Sequence, residues 1–311
     1  MTLCWVIGSG GLLGSALLRE LQASGQTIYR SAVKFDWSDA GRLREQFDAE
    51  LSKFAAQVPG ADAWEIYWAA GVGTMGSTTA ELSIETAAWG HLLVRLAGNA
   101  LLATTPGRIG LASSAGAIYA GLRVDVINER CLEAPTTPYA LAKLEQERLL
   151  RAFAERGLQV AVLTARISTL YGVGQAHGKR QGLIAHMARS IVHNRPIQIF
   201  VPFDTVRDYI TAGDAAALMV LALHSSADTG LNTRIVASER PTAIAEIIAT
   251  FRRVARRPPL IATSASPLSS LYLRRVQFRS TWSVAAAHPR TSLAIGIAQV
   301  LAAERLAQAR C

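Results

Sequence analysis

The chain has 311 residues, half of them hydrophobic, which allows one large domain or two modest ones with a substantial core. Its net charge of +9 favours an anionic partner, whether nucleic acid, a membrane surface or a substrate that carries a pyrophosphate. Cys4, Cys131 and Cys311 are odd in number and scattered, which argues against a disulfide framework and a zinc site. They are typical of reduced thiols, and we expect a cytoplasmic protein without a metal.

The hydropathy pattern predicts neither a targeting segment nor a membrane span. The apolar N-terminus lacks a basic leader, and glycines interrupt it within residues 8–11. The longest apolar stretch elsewhere, 215–223, is far too short to cross a bilayer. We therefore expect a soluble protein.

Short apolar segments alternate with amphipathic segments through the first half of the chain. Strands are predicted over 3–7, 27–29, 64–69, 108–113 and 159–165. Helices are predicted over 12–23, 43–54, 84–100 and 139–156. This alternation predicts an α/β fold, a Rossmann-type doubly wound parallel sheet with helices on both faces.

The pattern changes after residue 171. A polar, glycine-rich loop is predicted over 172–182, followed by helices over 183–193, 214–224, 244–254 and 291–309, with a short strand at 197–200. We expect a dinucleotide-binding domain over 1–171, to which 205–237 returns. Residues 172–204 and 238–311 would form a smaller, mostly helical substrate-binding lobe.

A glycine pattern lies between the first predicted strand and the first predicted helix. Glycines permit a tight turn there and let the backbone approach a pyrophosphate, while the helix N-terminus supplies N–H donors and a favourable dipole. A merely tight strand–helix turn is the alternative. We expect a dinucleotide diphosphate to be held by Gly8, Gly11, Leu12, Leu13 and Gly14.

The end of the second predicted strand bears on the choice of dinucleotide. NAD sites often carry an acidic residue there that binds the ribose hydroxyls, whereas residues 29–32 contain none. Arg30 could instead pair with a 2′-phosphate, which favours NADP over NAD, although it could also be simply exposed. Asp36 and Trp37 are predicted to contact the edge of the adenine.

Tyr139 and Lys143 lie four residues apart in a segment of good helix formers. At this spacing two side chains share a helix face, with Cβ atoms about 5–6 Å apart. A phenol is a poor acid or base near neutral pH, and a neighbouring ammonium favours the phenolate. Such a pair can exchange a proton with an alcohol or ketone while a hydride moves elsewhere. Taken alone, the spacing fits a surface helix better.

Several further segments occur in a characteristic order along the chain. They are Trp68-Ala69-Ala70-Gly71, the stretch 113–121, Asn128-Glu129, the stretch 138–143, the stretch 165–172, and Arg207-Asp208-Tyr209-Ile210 followed by Asp214. With the glycine loop, this order resembles the extended branch of the short-chain dehydrogenase/reductase superfamily, the nucleotide-sugar epimerase/dehydratase group. The resemblance covers nearly the whole chain.

The resemblance implies roles for individual residues. Tyr139 would be the catalytic acid/base, and Lys143 would activate it and hold the nicotinamide ribose. Ala69 and Ala70 would line the cofactor. Arg207 matches an arginine that commonly contacts the substrate pyrophosphate, with a surface ion pair as the alternative.

The family's hydroxyl that hydrogen-bonds the reacting oxygen maps to a pair of serines. The residue four before Tyr119 is Ala115, so the spacing is ambiguous. We favour Ser114 as the catalytic hydroxyl and place Ser113 second, as a substrate contact or a structural hydroxyl at a strand end. Thr169 stands where the family often has an asparagine that helps to hold the sugar.

Other departures from the family pattern narrow the reaction. The family often has asparagine in the long helix near Glu85 or Thr86. Sugar dehydratases typically carry Asp-Glu after the catalytic hydroxyl, where this chain has Ala115-Gly116, which argues against dehydration. His177, in the glycine-rich loop, is a candidate for a substrate contact, with packing or solvent exposure as the alternative.

The sequence therefore predicts an NAD(P)-dependent enzyme that transfers a hydride at a carbon of a nucleotide-sugar, with carbon 4 favoured. Arg30 favours NADP and so favours a 4-keto reductase, whereas the family resemblance favours an epimerase. Family members are commonly dimers, which makes a homodimer an expectation. No nucleic-acid or membrane partner is expected.

The alternative is a non-catalytic NAD(P)-binding sensor or an RNA-binding relative on the same fold. The observation that favours this alternative is a segment without acidic residues between Glu246 and Glu304. It contains Arg252, Arg253, Arg256, Arg257, Arg274, Arg275, Arg279 and Arg290. Few aromatic residues interleave with these arginines, which weakens a stacking platform for single-stranded nucleic acid. Retention of Ser114, Tyr139 and Lys143 also speaks against a pure binding protein.

Overall fold

A computed structural model of the chain describes residues 1–71, 73, 76–175, 182–225, 230–264, 275–282 and 288–309. The strands are β1 (Thr2–Ile7), β2 (Thr27–Tyr29), β3 (Ala63–Trp68), β4 (Gly107–Ser114), β5 (Val160–Ile167), β6 (Thr169–Tyr171), β7 (Ile197–Ile199), β8 (Val206–Thr211), β9 (Leu231–Val236), β10 (Pro241–Ala243) and β11 (Ile261–Thr263). The helices are α1 (Leu12–Ala23), α2 (Ala40–Gln57), α3 (Thr79–Ala97), α4 (Ala100–Ala103), α5 (Ala115–Ile118), α6 (Pro138–Ala154), α7 (Leu183–Val192), α8 (Ala212–His224), α9 (Ile244–Ala255) and α10 (Leu293–Gln308). His177, Arg274 and Cys311 lie outside the described residues.

The central sheet has six strands in the order β2-β1-β3-β4-β5-β9. Every neighbouring pair in it is parallel. Helices cover both of its faces, so the predicted Rossmann-type doubly wound sheet is confirmed. The order of the strands reverses at β1, because β2 lies on one side of it and β3 on the other.

Alternating strand residues supply two separate layers of core. Trp5 and Ile7 of β1 pack with α2, α3 and α6 on one face of the sheet. Cys4 and Val6 pack with α1 and α8 on the opposite face. The strands are therefore buried on both sides, which is usual for a parallel sheet between helical layers.

The helices that carry the later argument begin at well-formed caps. Thr78 and Glu81 form a reciprocal capping box at the start of α3. The Thr137 hydroxyl accepts a hydrogen bond from the Ala140 N–H at the start of α6, and Pro138 occupies the first turn. These caps fix where the first turns of α3 and α6 lie.

The second half of the chain adds two small sheets and a third hydrophobic cluster. One sheet has the order β10-β8-β6, and the other pairs β11 with β7. The cluster is formed by α7, α9 and α10 with β7 and Tyr171. The division into a dinucleotide-binding domain and a substrate-binding lobe stays a prediction.

Some predicted element boundaries were wrong, and some strands were not predicted. The helix predicted over 84–100 begins five residues earlier, because Thr78 caps it, and it ends at Ala97, before Asn99 caps α4. Strand β9, at the edge of the central sheet, was missed because its sequence, Leu231–Val236, is half polar and only its last two residues are buried. Strand β8 was missed because Arg207 and Asp208 interrupt its apolar pattern.

No described helix is both long enough and apolar enough to cross a membrane.

A buried carboxylate lies in the sheet at β3. Glu65 Oε1 accepts hydrogen bonds from Arg108 Nη1 at 3.1 Å and pairs with His224 Nε2 at 2.7 Å. Its other oxygen accepts from the Tyr67 hydroxyl at 2.7 Å and from the Cys4 thiol. Burial alone would raise the pKa of Glu65, but the bond with His224 and the other partners hold it below the ordinary value. The carboxylate is therefore ionised and satisfied inside the core.

We predict that Glu65→Gln lowers the free energy of unfolding at pH 7 by about 1.5–3 kcal/mol, the worth of a hydrogen bond to a charged group. Because the folded-state pKa of Glu65 is depressed, its contribution is present above the ordinary value of 4.5 and is lost as the pH falls below it. Denaturant titrations at several pH values measure this. Glu45→Gln, on the exposed side of α2, is the control, and a Glu65→Gln deficit that does not shrink in acid would contradict the prediction.

Candidate active site

A crevice opens where the order of the strands reverses. The connections that follow β1 and β3 leave the sheet in opposite directions, and ligands of doubly wound folds bind at the carboxyl ends of such strands. The Ala69 N–H donates to the Ile7 carbonyl at 2.9 Å, which carries the strand pairing to the rim of the crevice. The glycine loop and the segment from Ala69 to Gly71 therefore face each other.

Two glycines of the loop have no room for a side chain. Gly8 has a φ of +89°, and a Cβ on it would lie 2.5 Å from the Ala70 nitrogen. A Cβ on Gly14 would lie 2.1 Å from the Gly8 carbonyl oxygen. Glycine at these positions lets the loop touch both the end of β3 and the first turn of α1.

The first turn of α1 presents backbone rather than side chains to the crevice. Its N-cap is Gly11, which has no side chain to occupy the N–H groups of the first turn. Leu13 is buried and Leu12 is half-buried, both against the core between α1 and α8. The diphosphate of a dinucleotide fits this arrangement, because free N–H groups and the helix dipole favour an anion.

The residues predicted near the adenine lie at the same end of the sheet. Arg30 is exposed directly after β2. Asp36 accepts hydrogen bonds from the Ser38 hydroxyl and N–H, which hold the pKa of Asp36 below its usual range. The Trp37 ring meets the Trp68 ring edge-on, with centroids 6.0 Å apart. Trp37 is thereby fixed beside the end of β3.

Lys143 is buried where α6 passes the end of β4. Its Nζ donates to Gln146 Oε1 at 3.0 Å, to Glu85 Oε1 at 3.1 Å and to the Ala112 carbonyl at 3.5 Å. The same nitrogen lies 5.8 Å from the centroid of the Tyr139 ring. The helix spacing predicted for the pair therefore brings the ammonium beside the phenol.

The charge of Lys143 is maintained despite burial. Burial alone would lower the pKa of Lys143, but the carboxylate of Glu85 and other negative groups bring it above the ordinary value. Tyr139 is half-exposed, and a Cβ on Gly73 would lie 3.5 Å from its ring. The tyrosine thus faces the chain segment that follows β3.

The two candidate serines occupy different environments. Ser113 is buried, and its hydroxyl donates to Glu147 Oε1 at 2.6 Å. Ser114 is half-exposed at the carboxyl end of β4 and caps α5 with its backbone. Ala115 is fully buried. Of the two hydroxyls, that of Ser114 is the more accessible to a ligand.

Sequence reasoning missed the buried ion pair behind these serines. Arg166 Nη2 donates to Glu147 Oε2 at 2.7 Å and to Glu133 Oε1 at 2.6 Å, and Nη1 donates to the Tyr119 hydroxyl. Burial opposes the charge of Arg166, but these partners raise its pKa. Glu147 follows Lys143 by four residues, and this spacing could have indicated that it shares the inward face of α6.

Two of the residues predicted to hold the substrate, Thr169 and Arg207, lie on the small sheet β10-β8-β6. Thr169 is exposed in β6 and pairs with Tyr209 of β8. Arg207 is half-buried in β8. Arg275 was noticed only as part of a basic segment, yet it forms a bridge with Val206, the residue that precedes Arg207. That pairing joins residues about 70 apart in sequence, which no local pattern reveals.

Asp208, next to Arg207, has a structural role. Its carboxylate accepts hydrogen bonds from the Ser168 hydroxyl at 2.5 Å and from the Ser238 N–H at 2.9 Å. Burial raises the pKa of this carboxyl. These bonds join β8 to the chain that follows β5 and β9, and they fix the backbone that carries Arg207.

An apolar cavity of about 430 Å³ lies directly before β8 in the chain. Its lining consists of Ile199, Phe200, Val201, Pro202, Phe203, Thr263 and Ser264. Phe200 and Phe203 are both exposed.

Within the described residues, no group of three or more His, Cys, Asp or Glu side chains could hold a metal ion.

Comparison with known proteins identifies the family. The model of the NAD dependent epimerase/dehydratase family matches residues 4–236, three quarters of the chain. This protein therefore belongs to that family, and the resemblance inferred from the motifs is confirmed.

Individual relatives are distant. Over 116 residues the chain is 32% identical to dTDP-4-dehydro-6-deoxyglucose reductase of Escherichia coli, which covers 37% of this chain and 36% of that enzyme. The alignment thus spans about a third of the length of that relative.

Solved structures match the fold along the whole chain. A UDP-glucose-4-epimerase from Stenotrophomonas maltophila, with bound NAD and formylated UDP-arabinopyranose, superposes with a TM-score of 0.80 at 20% identity and covers 100% of both chains. RMD from Pseudomonas aeruginosa, complexed with NADPH, gives a TM-score of 0.78 at 19% identity and covers 98% of both chains.

We predict that Gly14→Ala destabilises the glycine loop by about 1–3 kcal/mol, because the added methyl overlaps the Gly8 carbonyl. Thermal unfolding of the purified variant measures the loss. Gly10→Ala is the control, since a Cβ there meets nothing within 4 Å. Equal stability of the two variants would show that α1 does not abut the loop as described.

Proposed function

We propose that this protein transfers a hydride between a nicotinamide dinucleotide and carbon 4 of a nucleotide-sugar, as 4-keto reductases and 4-epimerases do. The observation that carries the proposal is the buried Lys143 ammonium beside Tyr139, at the carboxyl end of β4. This pair can move a proton to or from an oxygen atom, and hydride transfer to or from the attached carbon is the step that requires it.

The glycine loop supports the dinucleotide. Gly8 and Gly14 let the loop pack closely against the end of β3 and the first turn of α1, and α1 directs its N–H groups to the place where a diphosphate would lie. When bound, the nicotinamide ring supplies or accepts the hydride. Solved relatives carry NAD in one case and NADPH in another. Exposed Arg30, with no acidic residue beside it after β2, favours the dinucleotide that carries a 2′-phosphate.

Tyr139 and Ser114 would handle the reacting oxygen. In the reductive direction, the Tyr139 hydroxyl gives its proton to the carbonyl oxygen as the hydride reaches the carbon. In the oxidative direction, the phenolate takes the proton of the sugar hydroxyl. Ser114 would donate or accept a hydrogen bond at the same oxygen, and Thr169 would contact the sugar. Proton transfer of this kind is worth about 10²–10⁴-fold in rate.

Residues on and next to the small sheet favour a substrate in which the sugar is attached to a nucleoside diphosphate. Arg207 on β8 supplies a positive charge, and Arg275, which is bridged to the neighbouring Val206, adds to the positive field around that strand. The apolar cavity before β8, with Phe200 and Phe203 on its wall, has room for a base. One relative is a reductase of a dTDP-linked sugar and another structure holds a UDP-linked pentose, which agrees with this class of substrate.

We predict that Tyr139→Phe lowers kcat by about 10²–10⁴-fold, because the phenolic proton is lost while the ring is kept. The assay follows nicotinamide absorbance with UDP- and dTDP-linked 4-keto sugars as substrates. Dinucleotide binding should persist, since the variant leaves the glycine loop and Lys143 in place.

Leu141→Ala is the matched control, because Leu141 lies on the exposed side of the same helix. If Tyr139→Phe turns over every nucleotide-sugar at the rate of the unmodified protein, the catalytic proposal is wrong. Salt-sensitive RNA binding that survives the change would instead favour a binding module.

We predict that Arg30→Ala weakens NADPH binding about tenfold or more and changes NADH binding much less, because only NADPH carries the 2′-phosphate. Fluorescence titration of both dinucleotides gives the two dissociation constants. Lys34→Ala, another exposed cation after β2, is the control. Equal losses for the two dinucleotides would remove Arg30 from the site.

A further inference from the structure

Glu85 differs from Glu81, the other carboxylate of α3, because its side chain is almost entirely buried whereas Glu81 is exposed. Its Oε1 accepts a hydrogen bond from Lys143 Nζ at 3.1 Å. Gln146 Nε2 donates to the same oxygen at 3.0 Å. The packing of α3 on α6 therefore places the Glu85 carboxylate within hydrogen-bond distance of the Lys143 ammonium, which lies beside Tyr139.

The position of this carboxylate is well constrained. Gln146 accepts from Lys143 and donates to Glu85, so the three side chains close a ring of hydrogen bonds. The Trp89 indole N–H donates to the Gln146 carbonyl at 3.0 Å and ties the turn of α6 to α3. A Cβ on Gly71 would lie 3.5 Å from the carboxylate, which places Glu85 beneath the segment that follows β3.

The other charges around Lys143 do not supply the same pairing. Glu147, one turn further along α6, is occupied by Arg166 and the Ser113 hydroxyl. From β4, Lys143 meets only a neutral carbonyl, that of Ala112. Among the described residues, Glu85 is thus the carboxylate that forms an ion pair with this ammonium.

The pairing changes what the ammonium does to the phenol. An isolated ammonium favours the phenolate, whereas an ammonium in contact with a carboxylate has a much weaker field at a distance, because the two charges largely cancel. A phenol beside the pair retains its proton more readily. A protonated tyrosine can donate to a carbonyl oxygen but cannot accept from an alcohol.

Resting on the function proposed above, we infer that Glu85 is a positioning residue that pairs with Lys143, keeps Tyr139 in its proton-donating form and thereby favours reduction of a keto-sugar over oxidation of an alcohol. The substrate class this selects is a nucleotide-linked 4-keto sugar. The hydride goes from the dinucleotide to carbon 4, the proton goes from Tyr139 to the oxygen, and the carbonyl becomes an alcohol.

The test compares Glu85→Gln with Glu85→Asp and the unmodified protein. The amide keeps the shape and loses the charge, so the reductive rate should begin to fall at a pH about one unit lower, and any oxidative rate should appear at correspondingly lower pH. The aspartate retains the charge and should restore the original pH profile. Glu145→Gln, on the exposed side of α6, should change nothing.

A second readout does not depend on the choice of substrate. The ultraviolet absorbance of tyrosinate, titrated against pH and corrected with the Tyr139→Phe variant, should appear at lower pH in Glu85→Gln. If Glu85→Gln does not fold, Glu85→Asn provides the same neutral comparison with Glu85→Asp.

The outcomes separate this inference from the proposed function. A shifted titration without turnover of any nucleotide-sugar supports the role of Glu85 and contradicts the proposed reaction. A folded Glu85→Gln variant with an unshifted titration and pH profile, whatever its stability, shows a purely structural ion pair and overturns the inference.

Discussion

The buried ammonium of Lys143 is the constraint on which the site depends. Removing one partner from a buried ion pair costs about 3–5 kcal/mol, since the remaining charge is left without compensation. Glu85 on α3 and Gln146 on α6 supply that compensation, together with the end of β4. The chemistry proposed at Tyr139 therefore requires α3, α6 and β4 to meet at one depth and in one register.

The surrounding structure fixes that register. Caps at Thr78 and Thr137 set the first turns of α3 and α6. Arg166, extending from β5, meets Glu147 on α6 and holds the helix across the ends of β4 and β5. The reversal of strand order at β1 then opens the crevice on the same edge of the sheet. The proposed cofactor site and the proposed proton donor thus depend on the same topology.

Local patterns were sufficient for the fold class and for part of the candidate site. Glycine spacing identified the loop after β1, because only glycine fits at Gly8 and Gly14, where a Cβ would overlap backbone atoms. Helix periodicity placed Tyr139 beside Lys143. The partner of Lys143 could not be predicted, since a glutamate within a helix is usually solvated and Glu85 is buried only through the packing of α3 on α6. The position of Arg275 beside β8 was missed for the same reason, because its bridge to Val206 joins distant segments.

In the reaction proposed here, a proton from Tyr139 accompanies a hydride that passes from the dinucleotide to a sugar carbon. The most direct measurement uses NADPH labelled with deuterium at the transferable position and a nucleotide-linked 4-keto sugar, with the product examined by NMR. We expect one deuterium at carbon 4 of the sugar. Consumption of the keto-sugar without deuterium at that carbon would contradict it.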